Sequence, residues 1–229
     1  MIKAGIDHDA IVTMFSEATA KQGEMLRKAV ADATLKALQG RELTMENIKK
    51  VLKTVTTAAS AGAAQNLAPP VDVEAMLERA FAGMDAALLQ AVEANRKALQ
   101  QFVDQGTDLR DKQLKGAIAN IEKLEDTFFA TVTKAAQSAG GPMQGPWAQV
   151  LESMKLKGTD TGAQAQATVE QLMAQAQSAL REGRAASAKT AQAMLDGYAA
   201  LVSGVLIGMS EGLGSTPTAS AAKPAAKKR

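Results

Sequence analysis

Apolar positions recur at intervals of three and four along nearly the whole chain, and the sustained apolar/polar alternation that marks a strand is missing. A first helix is expected to begin at Asp7 or Asp9, either of which can cap it. It should run to a stop at Gly40, with Ile11, Phe15, Ala18, Met25, Ala29, Ala33 and Ala37 on one broad stripe. Thr44 caps a second helix striped by Ile48, Leu52, Val55 and Ala59, which fades into the Ala/Gly-rich stretch 58–64 before Pro69 and Pro70 break the chain. Asp72 caps the third helix, where Leu77, Phe81, Met84, Leu88, Ala91, Asn95, Ala98 and Phe102 follow one another at alternating spacings of 4 and 3. That is a coiled-coil seam on a rod of about 48 Å. After Gly106, Thr107 or Asp108 can cap a fourth helix carrying Leu114, Ala117 or Ile118, Ile121, Leu124, Phe128, Val132 and Ala135. The short link predicts that helices three and four form an antiparallel hairpin.

The segment 138–146, SAGGPMQGP, breaks the pattern; a short helix around 147–155 and a loop at 158–162 follow. A long helix is then expected over 163–209, with Val169, Leu172, Ala176, Leu180, Ser187, Ala191, Met194, Tyr198, Leu201 and Val205 on its stripe and weak points at Gly183 and Gly197. The organisation read from these signals is an N-terminal helical hairpin over 1–66, a central hairpin over 71–137, a Gly/Pro-rich connector over 138–162, a long C-terminal helix over 163–214 and a disordered basic tail over 215–229. The fold class is all-α, an elongated antiparallel bundle of coiled-coil-like hairpins.

Composition narrows what such a bundle can do. Hydrophobic residues make up 46% of the 229 positions, but 47 of them are Ala and only 3% of the chain is aromatic, which suits long thin seams better than a thick core. Cys is absent and His8 is the single histidine, so thiolate chemistry and a multi-His metal site within one chain are excluded. Seven acidic residues precede a Lys by four positions (Glu17, Glu24, Asp32, Glu46, Glu93, Asp108 and Asp111), the orientation that supports helices by about 0.2–0.5 kcal/mol per pair. The 26 basic and 24 acidic residues nearly balance, yet Lys223, Lys227, Lys228 and Arg229 sit in a tail without acids, leaving a mildly acidic body. The opening MIKAGIDHDAIV has neither a long apolar run nor a small-residue cleavage site, so the expected location is the cytoplasm.

No catalytic constellation emerges. His8 lies between Asp7 and Asp9, a grouping read as a capping segment with an exposed imidazole. There is no nucleophile elbow, phosphate-binding glycine loop, dinucleotide fingerprint or Glu-x-x-His pair, and the cluster Glu122, Glu125 and Asp126 reads as a solvated face. The expectation is a non-enzyme without metal or cofactor. Asn95 in the seam either sets register and oligomeric state or lies at its boundary. Lys49, Lys50 and Lys53 form a small basic patch, read as a solvated face.

The most unusual stretch is Gly197–Gly214. Leu201, Val202, Val205, Leu206, Ile207 and Met209 surround the helix there, and Gly204, Gly208 and Gly212 form a ridge of small residues that permits close helix approach. Its charge-free run, Gly197–Ser210, is 14 residues long, shorter than the roughly 20 needed to span a bilayer. It either packs within its own bundle or dimer or meets a hydrophobic surface. Four basic tail residues can touch phosphates but cannot read bases.

The Ala/Gln-rich amphipathic helices, the core-like stretch Met84–Val103 (MDAALLQAVEANRKALQQFV) and the ending AAKPAAKKR give the chain a resemblance to phasin-type proteins, which coat bacterial polyhydroxyalkanoate granules. Gly197–Gly214 is more apolar and glycine-rich than that family's pattern and suggests a separate bacterial helical family. The resemblance implies a granule-associated coat. On the residues themselves, the expected contacts with an apolar surface (polyester granule or lipid), or between copies in a homo-oligomer, are the six apolar residues of 201–209 together with Leu77, Phe81, Met84, Leu88 and Phe102 of the seam. The alternatives are a helical oligomerisation scaffold and a nucleoid-associated protein that binds DNA through Lys223, Lys227, Lys228 and Arg229.

Overall fold

The computed structural model describes residues 7–17, 23–39, 43–66, 72–105, 112–182 and 196–214. These form α1 (His8–Glu17), α2 (Gly23–Gln39), α3 (Met45–Gln65), α4 (Val73–Asp104), α5 (Lys112–Glu122), α6 (Leu124–Ala139), α7 (Gln144–Lys157), α8 (Asp160–Arg181) and α9 (Tyr198–Gly214). A single 3-10 turn, Gly141–Met143, links α6 to α7, and there is no strand among the described residues. The protein is all-α, with its helices packed on one another. Ala18, Gly40, Pro69, Pro70, Gly106, Thr107, Asp108, Gly183, Ser187, Ala191, Met194 and the 215–229 tail lie outside the described residues, as do the side chains of Leu114 and Leu180.

The helix starts follow the capping chemistry. Asp7 Oδ1 accepts from Ala10 N at 3.0 Å, Thr44 Oγ1 from Asn47 N at 3.2 Å, and Asp72 Oδ1 from Ala75 N at 3.0 Å. Each satisfies an N–H that the helix cannot satisfy itself.

The expected stripe holds on α2 at Ala37, which is buried, but is off by one residue along the rest of the helix. Met25 is 63% exposed, while Leu26, Val30, Thr34 and Leu38 face the interior. A branched side chain every four residues buries more apolar area than the Met25–Ala29–Ala33 line, so the helix turns that way. The Ala/Gly stretch after Ala59 does not fade: α3 continues to Gln65, and its small residues let α1 approach closely. A Cβ on Gly62 would lie 2.5 Å from both Phe15 Cβ and Val12 O.

The segments expected as separate hairpins share one continuous core that runs from Ile11 to Leu206. Partnerships between helices do not follow chain order. α4 pairs most extensively with α2 and α8 and also meets α9 and α7, whereas α6 packs chiefly on α3. The expected fourth helix is divided at Lys123, and α6 reaches α4 through rings, with Phe81 and Phe128 stacked at 4.4 Å. α4 is apolar on nearly all sides: besides the seam, Ala80, Ala87, Val92, Ala94 and Leu99 are buried. It is the axis around which the other helices are laid.

The expected loop at 158–162 shrinks to Gly158 and Thr159, with Gly158 at φ 75°, a conformation that favours glycine. The long C-terminal rod is also corrected. The last turns of α8, at Gln175, Ser178 and Ala179, lie beside Gln100, Val103 and Asp104 of α4, and Tyr198 lies beside Asn95 and Phe102. In a straight helix Tyr198 would stand about 28 Å beyond Ala179. α8 and α9 are instead two helices that both pack on α4.

Candidate functional site

Helix α9 is where the charge-free apolar run meets the bundle. Val202 and Leu206, four residues apart, are buried against the core, and Leu201, Val205 and Met209 are half-buried beside them. Ile207 remains 39% exposed. Gly204 and Gly208 are exposed, and a Cβ built on either would meet nothing within 4 Å. Gly204 and Gly208 therefore make no close helix contact inside the subunit, and the surroundings of Gly212 lie outside the described residues. One half of α9 is docked; the other is an apolar, small-residue face open to the outside.

The five seam residues assigned to outside contact are corrected. Leu77, Phe81, Met84, Leu88 and Phe102 are all buried in the subunit's own core, because α2, α8, α9 and α7 pack around α4 and cover its apolar seam. Val202 and Leu206 are withdrawn in the same way. The four basic tail residues, Lys223, Lys227, Lys228 and Arg229, lie outside the described residues, and the nucleic-acid reading rests on them alone.

Asn95 lies at the edge of the seam, half-buried, with an intrachain partner. Its Nδ2 donates to Ala91 O at 2.8 Å, and its Oδ1 accepts from the Tyr198 hydroxyl at 2.9 Å. That bond anchors the start of α9. Burial pushes the Tyr198 phenol well above its ordinary range, so it stays a donor.

Sequence reasoning missed a polar junction at the start of α8. Asp85 of α4, only 7% exposed, accepts from Asp160 N at 3.0 Å and Thr161 N at 3.2 Å, while the Thr161 hydroxyl donates to Asp85 O at 3.0 Å. Glu125 of α6 accepts from the Thr159 hydroxyl at 2.6 Å and from Thr159 N at 3.2 Å. Two carboxylates from two other helices thus sit where the helix dipole and its free N–H groups favour negative charge. Gly162 lies directly against the Glu125 carboxylate, which would have to move to admit a Cβ there. Burial pushes the Asp85 carboxyl upward, opposed by the hydrogen bonds from Thr161 and Asp160. The junction closes its own donors and acceptors, so its work is to lock α8 to α4 and α6. The hint in the sequence was Asp85 inside an apolar run, with Thr-Asp-Thr-Gly following Gly158. A second lock is Trp147, whose Nε1 donates to Ser60 Oγ at 2.8 Å, joining α7 to α3.

Among the described residues one of the expected i,i+4 pairs forms, and two of the carboxylates take other partners. Lys50 reaches Glu46 at 2.7 Å, and its hydrogen bond holds that carboxyl below its usual value. Glu24 binds Arg27 and Arg79 instead, and Glu93 takes both arms of Arg96. The planar guanidinium offers paired donors that an ammonium lacks. The Lys49, Lys50 and Lys53 patch does not stand alone either: it forms one wall of a groove whose other wall carries Lys123 and Lys134 of the α5–α6 arm. His8 lies 3.6 Å from Asp9 in the first turn of α1. Among the described residues no group of three or more His, Asp or Glu could hold a metal ion, and no helix is long and apolar enough to cross a membrane.

These features define an all-helical protein built around a buried central helix, with one apolar helix laid half-open on its outside. Residues 1–215 match the model of a family of unknown function, DUF6781, and the chain belongs to that family. No curated protein and no solved structure matches it.

Proposed function

We propose that this protein is a non-catalytic helical attachment protein whose α9 meets an apolar surface, such as a polyhydroxyalkanoate granule, with its outward face. The observation that carries the reading is the two-sidedness of α9: Val202 and Leu206 fix it to the bundle, while Ile207, Gly204 and Gly208 stay uncovered on a stretch free of charge between Asp196 and Glu211. A helix lying in an interface needs such an apolar face and no span-length run. The bundle keeps its own core when it attaches, so attachment does not require opening the α4 seam.

Flotation with isolated polyester granules tests this. Wild-type protein is expected in the granule layer, and Ile207→Glu, a change at an exposed position, is expected to move it to the aqueous phase with its helical circular dichroism unchanged. Wild-type protein left wholly in the aqueous phase refutes the reading. The open glycine ridge also favours a second occupant, α9 of another copy. Gly204→Ala with Gly208→Ala separates the two: methyl groups on the ridge obstruct a close helix crossing and lower the oligomeric state in gel filtration, but leave adsorption to a polymer surface intact.

A further inference from the structure

The groove between α3 and the α5–α6 arm has a volume of about 720 Å³ and is lined by five lysines against two carboxylates, Glu46 and Asp126. Glu46 is taken by Lys50 at 2.7 Å. Among the described residues, Lys49, Lys53, Lys123 and Lys134 have no ion-pair partner. Lys49 and Lys53 are four residues apart on α3, a like-charged pair that works against its own helix, where elsewhere the sequence sets an acid four residues before a lysine. Lys123 and Lys134 stand eleven positions apart on the facing wall, about 16 Å along the helix axis. Five lysines against Glu46 and Asp126 leave the lining with an excess of positive charge, and like charges held in excess around one concavity raise the local concentration of anions.

The lining narrows the anion. Between the lysines lie Thr127, Thr131 and Ala130, with Ala135 and Ser138 at one end, so hydroxyl and methyl groups are present but no aromatic side chain. A single nucleic-acid strand held by stacking has nothing to stack on. A DNA duplex is read by elements that enter its grooves, not by a recess between two helices. The volume falls in the range of small-ligand sites. Lysines at several points around it suit adjacent phosphate groups, each met as a point charge. We propose that this groove binds a compact polyphosphorylated anion, held by Lys49, Lys53, Lys123 and Lys134. The shared chemistry is a run of linked phosphates, whether free or carried by a nucleoside. The groove uses none of the α9 face, so the proposal stands independently of granule attachment.

Titration calorimetry on the full chain, with inorganic tripolyphosphate, ATP and orthophosphate as separate probes, tests it. Saturable binding of one tripolyphosphate per chain is expected, with orthophosphate at least tenfold weaker. ATP matching tripolyphosphate would mean the phosphates alone are read; ATP binding more tightly would mean the nucleoside is read as well. The double variant Lys49→Gln/Lys134→Gln should weaken binding at least tenfold, while Lys28→Gln/Lys97→Gln, away from the groove, should leave it unchanged. All four are exposed, so helical circular dichroism should be the same in each variant. The proposal is overturned if tripolyphosphate does not bind. It is equally overturned if the groove variant binds like wild type, if the affinity disappears only when Lys223, Lys227, Lys228 and Arg229 are replaced, or if duplex DNA binds in a lysine-dependent way that tripolyphosphate fails to compete.

Discussion

Replacing Gly83 by Ala puts one methyl group into a crossing that has no room for it. Gly83 lies where α4 passes α2, the most extensive helix pairing in the fold. A Cβ there would stand 2.5 Å from Arg27 O, 2.8 Å from Val30 Cβ and 3.0 Å from Val30 Cγ1. An ordinary contact is about 3.5 Å or more, so the helices must part by about 1 Å, which forfeits a quarter to a half of each contact well along the seam. The obstacle is partly a backbone carbonyl, which cannot rotate aside as a side chain would. Overpacking of this kind costs about 1–3 kcal/mol, and here the upper part of that range applies. Alanine also returns about 1 kcal/mol of helix propensity, leaving a net loss of about 2 kcal/mol. Gly116 supplies the control: it is exposed on α5 and a Cβ would meet nothing within 4 Å, so Gly116→Ala keeps only the propensity gain of about 1 kcal/mol. Urea unfolding followed by far-ultraviolet circular dichroism should place the two variants on opposite sides of wild type, about 3 kcal/mol apart. Gly83→Ala as stable as wild type or more so would refute the claim that α2 and α4 are held together by close approach at this residue.

Three further outcomes follow from the polar locks. Because burial holds the Asp85 carboxyl above its ordinary 3.8, its contribution to stability is complete below that value and is lost as pH rises through the raised folded value. Wild type should therefore lose stability relative to Asp85→Asn across that window; a difference in urea midpoint that does not change with pH would count against it. Ser60→Ala should leave the Trp147 N–H buried without its acceptor and cost about 1–3 kcal/mol, read from the unfolding midpoint by fluorescence of the chain's single tryptophan. Tyr198 is the one tyrosine, so an ultraviolet titration should show phenol ionisation only well above its ordinary 10.0, and ionisation at the ordinary value would mean that Tyr198 is not buried against α4.

Much of the local structure was legible in the sequence. Thr44 and Asp72 announced their helices because a side-chain oxygen placed just before an apolar repeat satisfies free N–H groups whatever surrounds it. The α4 seam was readable because Leu77 to Phe102 repeat with a heptad period. Its inaccessibility was not: Ala80, Ala87 and Ala94 look neutral in sequence and read equally well as surface or as room for a neighbour. On α2 the same ambiguity put Met25 on the wrong side, since an Ala-rich helix offers two nearly equal faces and the choice belongs to whichever neighbour buries more. The candidate sites divide similarly. The apolar character of α9 and the Lys49–Lys53 patch are local facts. That Lys123 and Lys134 face that patch depends on which helices pair, and so does the placement of Asp85 against the start of α8.

Taken alone, the sequence determined that the chain is helical, where several helices begin, and that Gly197–Ser210 is apolar without being long enough to span a bilayer. Period, caps and breakers act within one or two turns of the chain and need no partner. The tertiary structure alone decided that the α4 seam is sealed, that α9 leaves Ile207, Gly204 and Gly208 exposed, and that two sets of lysines face each other across one groove. Those outcomes turn on which apolar faces cover one another, and a chain with 47 alanines leaves that choice open until all the helices pack together.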